Sequence, residues 1–224
     1  MRRASPMEVY HRLHAHYGEQ QWWPAETPFE MMVGAILTQN TRWENVEMAI
    51  DNLKAANMLN PESIISSDIE QLESLIRASG YFKQKARKLV EFSNFFLAHD
   101  GIRGLKRWPT QSLRARLLGV HGIGPETADA ILLYALDKPV FVVDAYTKRI
   151  FSRLGLLDPS MPYDDTQNYF VQRLPGLLQL FQEYHALIVE HAKCHCNSKQ
   201  TCDDCPLFDA CETAAESDRL SSLH

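Results

Sequence analysis

The amino-acid sequence predicts an all-α protein, and three features of the chain indicate this fold class. Apolar side chains recur three and four residues apart along most of the 224 residues, which is the repeat of one helix face. Prolines and glycines separate these segments where helices should begin and end. A single short apolar stretch, residues 140–143, has the character of extended chain.

The predicted helices follow one another with short turns between them. Pro28 and Phe29 open the first core helix, Ser79 and Gly80 end the third, and a glycine-rich turn precedes an almost wholly apolar segment. Because that segment is apolar on all sides, we expect it at the centre of the protein. The segments predicted as helices are 28–37, 46–53, 69–76, 83–96, 110–117, 127–136, 144–154 and 184–193.

Length and composition predict a globular protein of one large domain or two small ones. Hydrophobic residues make up 45% of the chain, which excludes a disordered protein. No apolar run approaches the roughly 20 residues of a membrane span, and the basic N-terminus lacks the apolar region of a signal peptide. We therefore expect a cytoplasmic protein without a membrane partner.

The five cysteines lie together, between residues 194 and 211. A disulfide framework would spread along the chain, so this clustering favours a metal site in a reducing compartment. Four thiolates within sixteen residues suit an iron–sulfur cluster, and the same number would suit Zn²⁺.

Positive charge is concentrated in one segment. Residues 81–125 carry nine basic and two acidic side chains, a net +7, which leaves −12 for the rest of a chain whose net charge is −5. Such asymmetry can direct a polyanion to one face, although solvated helix faces would explain the same pattern.

The turn at residues 120–124 and the isolated Asp144 are candidates for chemistry. Glycines let backbone N–H groups approach an anion at a helix N-terminus, although a plain turn between helices is the simpler interpretation. Asp144 lies where a helix starts, so it can be an N-cap. A carboxylate at a helix start also stays ionised, and could stabilise positive charge that develops on a sugar or orient a water molecule.

Three sequence motifs together resemble the helix-hairpin-helix glycosylase superfamily of endonuclease III and adenine glycosylases. They are the stretch 118–128 followed by Val143-Asp144, the stretch 37–41, and residues 80–82 with Lys85-Ala86. The resemblance implies two helical lobes of the endonuclease III type. Residues 25–138 would form a helical barrel domain with the helix-hairpin-helix, and residues 1–24 plus 139–224 an iron–sulfur cluster domain.

The resemblance also implies roles for individual residues. Asp144 would be catalytic, and Gln39 would fill the gap that a flipped base leaves. A [4Fe–4S] cluster would be held by Cys196, Cys202, Cys205 and Cys211, with Cys194 as the rival first ligand. Lys199 in the cysteine loop could contact phosphate. The expected DNA-binding residues are Gln39, Asn40, Lys85, Val120, Gly122, Gly124 and Lys148.

The expected substrate rests on residues near both ends of the chain, which are similar to the 3-methyladenine DNA glycosylase III group. That group stacks a damaged purine between aromatic side chains, although tryptophans near an N-terminus can simply cover a core. An N3-alkylated adenine is cationic, and tryptophan faces attract cations by about 0.5–2 kcal/mol. The expected base-pocket residues are Trp22, Trp23, Pro24, Trp43 and Lys193.

These features predict a monomeric, monofunctional DNA N-glycosylase of base excision repair, associated with the nucleoid. It would act on double-stranded DNA with a damaged base, flip an alkylated purine and remove it with a water activated by Asp144. Glu126 stands where bifunctional relatives have a lysine that forms a Schiff base, so strand cleavage should be weak or absent. The alternatives are a glycosylase for an oxidised pyrimidine or a mismatch, with or without lyase activity, and a non-catalytic protein that binds damaged DNA.

Overall fold

The structure is a computed structural model that describes residues 4–20, 22–197 and 201–215. Within these residues all regular structure is helical, with no strand, so the predicted all-α fold class is confirmed. Short 3₁₀ helices occur at Arg77–Ser79 and Phe208–Ala210, and a π-helix at Ile131–Ala135. The α-helices are α1 (Pro6–Tyr17), α2 (Pro28–Leu37), α3 (Trp43–Ala55), α4 (Pro61–Ser66), α5 (Ile69–Leu75), α6 (Phe82–Ala98), α7 (Gly101–Arg107), α8 (Thr110–Leu118), α9 (Pro125–Ala130), α10 (Ala145–Arg153), α11 (Tyr163–Val171) and α12 (Leu178–Cys194).

Local sequence explains where many helices begin. Ser5 and Glu8 form a capping box at α1: the Ser5 hydroxyl accepts the Glu8 N–H at 3.2 Å, and the Glu8 carboxylate accepts the Ser5 N–H at 2.7 Å. Proline suits the first position of a helix because its fixed φ is helical and no N–H is needed there. The helices that begin in this way start at Pro6, Pro28, Pro61 and Pro125.

The chain divides into two compact units. One comprises residues 23–138 and contains the hairpin of α8 and α9, and we call it the hairpin unit. The other comprises residues 1–22 and 139–224, and we call it the cysteine unit. The first division falls two residues before the expected boundary, because Trp23 already packs on residues of the hairpin unit.

The hairpin unit is organised around α2, in which every residue except Pro28 is buried. This helix packs against α3, α6, α9 and the π-helix. Burial on all sides agrees with its apolar sequence, since a helix without a polar face is stabilised most when it lies at the centre of a core. The π-helix that contacts α2 is also largely buried, and it extends α9 without interruption.

The cysteine unit is built on α12, which contacts α1 and α10. The buried Tyr184 of α12 donates its hydroxyl proton to the Pro6 carbonyl at 2.5 Å, which ties the chain before residue 139 to the chain after it. Phe141 and Phe170 stack at 4.2 Å between ring centroids in the same core. Within the described part of the chain, no helix combines the length and apolar character that crossing a bilayer requires.

Two segments differ from the sequence expectation. Residues 127–136 are not one regular helix, because α9 ends at Ala130 and the chain continues as a π-helix, a distortion that often marks functional sites. The stretch 140–143 is extended, and side chains of α11 satisfy its backbone: Gln167 donates to the Phe141 carbonyl at 2.7 Å, and the Tyr163 hydroxyl accepts the Val143 N–H at 3.3 Å. Four helices, α1, α4, α7 and α11, were not predicted from the sequence.

Candidate functional site

The turn between α8 and α9 has the geometry of a tight helical hairpin. Gly122 has a φ of +84°, a conformation that favours glycine, and a Cβ there would lie 2.5 Å from the Lys88 side chain. Gly124 is exposed and caps α9, whose N-terminal N–H groups carry the positive end of the helix dipole. The side chain of Val120 is buried, its N–H donates to the Leu117 carbonyl at 3.0 Å, and its carbonyl accepts the Ile123 N–H at 3.1 Å, so Val120 has a structural role in the turn.

An ion pair joins the two helices of the hairpin. Arg114 of α8 donates two hydrogen bonds to the Asp129 carboxylate of α9, at 2.7 and 3.1 Å. The Asp129 side chain is fully buried, so this bidentate contact compensates a carboxylate that would otherwise be costly to bury. The pair therefore fixes the angle at which α9 leaves the turn.

Gln39 is bound to the same turn. Its amide group donates to the Gly122 carbonyl at 3.1 Å and to the Thr127 hydroxyl at 2.9 Å, and Lys88 donates to its Oε1 at 2.5 Å. Asn40 is exposed and takes the left-handed conformation with φ of +54°. The loop after α2 is thus held against the hairpin, and Asn40 faces solvent.

Lys85 requires a correction. We expected it to bind DNA, but its side chain is only 2% exposed. The ammonium group donates to the Leu37 carbonyl at 2.8 Å and to the Ser79 carbonyl at 2.6 Å. Burial, with a further effect from the Lys88 charge, lowers the pKa of Lys85 to about 8. A lysine buried in this way cannot reach a phosphate, so Lys85 has a structural role.

Three aromatic side chains meet in the hairpin unit. The rings of Trp23 and Trp43 are 5.1 Å apart and perpendicular, and Tyr134 of the π-helix lies 5.5 Å from Trp23. The Trp23 indole rests over Gly34 of α2, where a Cβ would be 3.5 Å from the ring. We call these three residues the aromatic cluster.

A cleft of about 260 Å³ lies beside the aromatic cluster. Trp23, the exposed Pro24 and Trp43 form one part of its lining. Glu47 and Asp51 add carboxylates, which would favour a cationic ligand. The Lys54 ammonium, also in the lining, bonds to Glu26 and Glu30 at 2.8 Å each.

The other two expected base-pocket residues belong to the cysteine unit and contact each other. The Lys193 ammonium lies 5.6 Å from the centroid of the Trp22 ring, within the range of a cation–π contact. Lys193 is exposed and Trp22 is half-buried. Lys148, also in this unit, is half-buried and donates to the Met161 carbonyl at 2.7 Å.

Asp144 is both a helix cap and a buried carboxylate. Its Oδ1 accepts the Thr147 N–H at 2.6 Å and the Thr147 hydroxyl at 2.7 Å, and its Oδ2 lies 3.6 Å from the Nε2 of His185. Burial alone would raise the pKa of Asp144, but the hydrogen bonds and charge of His185 and the bonds of Thr147 outweigh it, so this pKa lies below its ordinary value. The carboxylate is therefore ionised and available as a base or as a negative charge.

Four of the five cysteines surround one cavity in the cysteine unit. Cys196, Cys202, Cys205 and Cys211 all line it, whereas Cys194 is exposed and donates to the Glu190 carboxylate at 3.1 Å. Among the described residues, no group of three or more His, Cys, Asp or Glu side chains converges as the ligands of a single metal ion would. Lys199, expected to contact phosphate, lies outside the described residues.

The surroundings of this cavity favour negative charge at one sulfur and oppose it at two others. Arg153 of α10 donates to the Cys196 sulfur at 3.1 Å and to the Asn197 carbonyl at 3.0 Å. Burial and the neighbouring thiols raise the pKa of both Cys205 and Cys211, although backbone N–H groups oppose this rise. Four thiolates held this close would require a compensating positive charge, which a bound metal cluster would supply.

Comparisons with known proteins assign the chain to a family. Residues 33–175 match the model of the HhH-GPD superfamily base excision DNA repair proteins. The chain belongs to this superfamily. It is therefore a DNA glycosylase, as the hairpin motif and Asp144 predicted.

Relatives in sequence extend over nearly the whole chain. A protein of Methanocaldococcus jannaschii, MJ1434, provisionally described as a DNA repair glycosylase, is 48% identical over 91% of this chain and 94% of its own length. Endonuclease III of Thermotoga maritima is 31% identical over 83% of each chain. Superfamily membership therefore extends to both units.

Solved structures agree with this assignment. The H. pylori 3-methyladenine DNA glycosylase MagIII, bound to 1,N6-ethenoadenine, is 31% identical and aligns with 85% of this chain and 98% of its own, at a TM-score of 0.76. Endonuclease III in a non-covalent DNA complex aligns with 96% of this chain and 99% of its own, at a TM-score of 0.82. That second structure is 20% identical and supports the fold alone.

Several residues at these sites were not found by sequence reasoning. His185 and Thr147 position the Asp144 carboxylate, Tyr134 completes the aromatic cluster, and Arg153 bonds to Cys196. Thr147 could have been predicted from the sequence, since a hydroxyl three residues after an N-cap residue can bond to the side chain of that residue. His185 lies 41 positions from Asp144 in sequence, so only the fold brings the two together.

Proposed function

We propose that this DNA glycosylase removes alkylated purines of the 3-methyladenine type from double-stranded DNA, acting as a monomer. The aromatic cluster is the observation that carries this proposal. A purine alkylated at N3 is a cation in DNA, and the faces of Trp23 and Trp43 attract cations. The carboxylates of Glu47 and Asp51 in the adjoining cleft add to that preference. Pro24 lines the same cleft in the hairpin unit. Trp22 and Lys193, which contact each other in the cysteine unit, stay predicted base-pocket residues.

The similarity to a purine-binding relative supports the same substrate class. The H. pylori enzyme is described as a 3-methyladenine glycosylase and was crystallised with 1,N6-ethenoadenine, a modified purine. It shares 31% of its sequence with this chain over nearly its whole length. Endonuclease III relatives are as similar in sequence, so the aromatic cluster and not overall similarity decides our choice.

We further propose that Asp144 is the catalytic residue. The base leaves with the electron pair of its bond to C1′, which neutralises the alkylated ring and leaves positive charge on the sugar. Asp144 stabilises that charge and accepts a proton from the water whose oxygen forms the new bond to C1′. His185 and Thr147 keep the carboxylate ionised and fix its orientation. Because the leaving base is already cationic, no strong general acid is needed.

DNA would be held mainly through its backbone. The N–H groups at Gly122 and Gly124 are proposed to bind a phosphate without reading sequence. The Val120 N–H, which we also expected to contact DNA, instead donates to the Leu117 carbonyl at 3.0 Å. Gln39 and Asn40 would occupy the space that the flipped nucleotide leaves, which requires Gln39 to release its bonds to the hairpin. Lys148 retains two further N–H donors beside its bond to Met161 and would contact phosphate.

We propose that the enzyme does not cleave the strand. A lyase reaction needs an amine that forms a Schiff base with the sugar. The second residue of α9 is Glu126, a carboxylate that favours the helix N-terminus but cannot attack carbon as an amine does. Water is therefore the expected nucleophile.

We propose a [4Fe–4S] cluster as the cofactor, held by Cys196, Cys202, Cys205 and Cys211. The four cysteines line one cavity, and four thiolates are the ligand set of such a cluster. The same four thiolates would also suit one zinc ion, so the superfamily resemblance decides our choice. Arg153 would stabilise the charge on the Cys196 sulfur. When bound, the cluster would contribute to folding of the loop and would take no part in hydrolysis.

Release of free base is the experiment that tests the substrate. The purified holoenzyme is incubated with duplex DNA treated with a methylating agent, and released bases are separated and identified. We expect 3-methyladenine to appear at a rate proportional to enzyme, with no strand breaks until alkali is added. Duplexes that contain thymine glycol or a G·T mismatch serve as matched substrates.

The outcomes separate the proposed function from its rivals. Release of an oxidised pyrimidine or of mismatched thymine, without 3-methyladenine, would overturn the substrate assignment. Binding without release from all three duplexes would indicate a damage-binding protein. Efficient trapping of a covalent DNA complex by borohydride would contradict a monofunctional mechanism, whichever base is released.

A further inference from the structure

A tyrosine and two histidines form a hydrogen-bonded group beside the cysteine loop, and the proposed hydrolysis makes no use of them. The Tyr17 hydroxyl at the end of α1 lies 3.0 Å from the Nδ1 of His191 and 2.7 Å from the Nδ1 of His195. The two imidazole rings are stacked, with centroids 5.5 Å apart and planes inclined by 18°. All three residues belong to the cysteine unit.

This group reaches one of the proposed cluster ligands. The Nε2 of His191 lies 3.9 Å from the sulfur of Cys205, within the range of a hydrogen bond to sulfur. The His191 carbonyl also accepts the Cys196 N–H at 2.9 Å, where the cysteine loop begins. His191 is thus connected through its ring to one proposed ligand and through its backbone to another.

Only one placement of the protons on His191, Tyr17 and His195 satisfies all of these contacts. His191 is 1% exposed, and burial favours its neutral form, which carries a single ring proton. A ligand thiolate at Cys205 can only accept, so the His191 proton must be on Nε2. The Nδ1 of His191 then accepts the Tyr17 proton, and the Tyr17 oxygen accepts a proton from the Nδ1 of His195.

The reverse arrangement is unfavourable. If Tyr17 donated to His195, the Nδ1 of His191 would carry the proton and its Nε2 would present a lone pair. That lone pair would face the Cys205 thiolate, so two acceptors would oppose each other in a buried place. By donating to Nδ1, Tyr17 therefore supports the tautomer of His191 that donates to Cys205, as carbonyl and carboxylate partners orient histidines at metal sites.

We propose that His195, Tyr17 and His191 form a hydrogen-bond relay that ends on the Cys205 thiolate and raises the reduction potential of the iron–sulfur cluster. This inference rests on the proposed cofactor. Hydrogen bonds to the sulfurs are one of the factors that set such potentials. A reduced cluster shares its added negative charge with its thiolates, so a donor at Cys205 stabilises the reduced state more than the oxidised state.

The test is the midpoint potential of Tyr17→Phe in the full-length holoprotein. Iron, sulfide and visible absorbance are measured first, and one-electron reduction is then followed by electron paramagnetic resonance at controlled potential. Because this variant lacks the hydroxyl that donates to the Nδ1 of His191, the Nε2–H becomes a weaker donor to Cys205, and we expect the potential to fall. At a fixed potential the ratio of reduced to oxidised cluster should drop about threefold to tenfold, and tenfold is 59 mV for one electron.

Two further variants complete the design. Tyr10→Phe removes a hydroxyl from the same helix, at a ring that packs on Tyr184, and should leave the potential unchanged. His195→Ala removes the half-buried outer donor and should lower the potential by a smaller amount, so the relay is tested even if Tyr17→Phe folds poorly. An unchanged potential in both Tyr17→Phe and His195→Ala would overturn the relay.

Failure of the relay and failure of the proposed function give different results. A wild-type protein that contains zinc and no iron would overturn the cofactor and the relay together. Tyr17 contacts none of the residues assigned to hydrolysis, so Tyr17→Phe should release 3-methyladenine at the wild-type rate. An absence of base release by the wild type, with a shifted potential in Tyr17→Phe, would support the relay and overturn the substrate.

Discussion

At the scale of single residues, one carboxyl group combines a structural and a chemical task. The Oδ1 of Asp144 caps α10 through Thr147, while its Oδ2 faces His185. Capping uses part of the hydrogen-bonding capacity of a carboxylate, which has two oxygens and about four lone-pair sites. The two interpretations that the sequence left open, cap and catalytic group, are therefore compatible in this geometry.

The first prediction concerns Asp144→Asn. Asparagine caps a helix about as well as aspartate, so the fold and binding to an abasic-site duplex should survive. The lost charge acts only when positive charge develops on the sugar, and losing such a group typically costs about 100- to 1,000-fold in rate. Single-turnover release of 3-methyladenine measures this loss.

A matched control lies in the same unit. The exposed Asp158 makes a similar local pair of hydrogen bonds in a turn, accepting the Ser160 N–H at 2.8 Å and the Ser160 hydroxyl at 2.6 Å. Asp158→Asn should therefore excise the base at the wild-type rate. Wild-type excision by Asp144→Asn as well would reduce Asp144 to a helix cap and contradict the proposed mechanism.

Part of the site could be predicted from residue types and short spacings, and the rest could be identified only from the fold. Asp144 and the cysteine ligands were identifiable because their chemistry depends on local sequence. His185 was not, since nothing in the chain near Asp144 indicates which distant helix faces it. Lys85 was misjudged because a lysine in a basic segment gives no sign in sequence that its side chain is buried.

At the scale of elements, Lys85 connects three helical segments. It projects from α6 and bonds to the last residue of α2 and to the last residue of the 3₁₀ helix at Arg77–Ser79. These carbonyls lie at helix ends, where backbone acceptors lack partners within the helix. One buried ammonium thus satisfies two helix ends and fixes their positions relative to α6.

The second prediction concerns the pH dependence of stability at Lys85. Because the folded pKa of about 8 lies below the unfolded value of 10.5, the unfolded chain binds more protons between these values. The contribution of Lys85 to stability is therefore complete above pH 10.5 and is lost as the pH falls through 8. The free energy of unfolding of the wild type, minus that of Lys85→Met, should increase by about 2 kcal/mol between pH 7 and 9.5.

Urea unfolding at pH 7, 8, 9 and 9.5 measures this difference. Lys83→Met is the matched control, since Lys83 lies on the same helix with its side chain exposed. The free energy of unfolding of Lys83→Met should change with pH in the same way as that of the wild type between pH 7 and 9.5. A constant difference between wild type and Lys85→Met would mean that the two carbonyls fully offset the cost of burying the charge.

Helices were predictable where apolar spacing or caps were strong. The start of α1 also had a readable signal, Ser5-Pro6 followed by Glu8, although this helix was not among those expected. No signal in the sequence indicates the change from α9 to the π-helix. The segment is apolar throughout, so any helical hydrogen-bond register would bury it. That change positions Tyr134, so the aromatic cluster could be predicted only in part.

At the scale of the whole molecule, charge and cysteines are distributed unequally. The basic segment 81–125 lies in the hairpin unit, and all five cysteines lie in the cysteine unit. The superfamily assignment accounts for an excess of basic residues, since a DNA glycosylase needs a surface for phosphates, although Lys85 and Arg114 of this segment make internal contacts instead. The net charge of −5 alone would have argued against nucleic acid, so the distribution of charge was more informative than its sum.

The last prediction concerns the cluster as a support of the cysteine unit. Cys196→Ser should lose iron, because Cys196 lines the cavity with the other three proposed ligands. Cys194→Ser should keep it, because Cys194 is exposed and bonds to Glu190. Metal binding to the folded state is folding free energy, so the first variant should also be less stable.

The lost stability can be expressed as a change in Tm. If the cluster contributes about 3 kcal/mol, its absence should lower Tm by roughly 6–12 °C in a chain of this length. Iron and sulfide analysis with the broad visible absorbance of the protein purified anaerobically measures occupancy, and calorimetry measures Tm. Cys194→Ser is the matched control and should equal the wild type in both. Loss of iron from Cys194→Ser with retention in Cys196→Ser would reverse the ligand assignment, and stoichiometric zinc in the wild type would replace the cluster with a single ion.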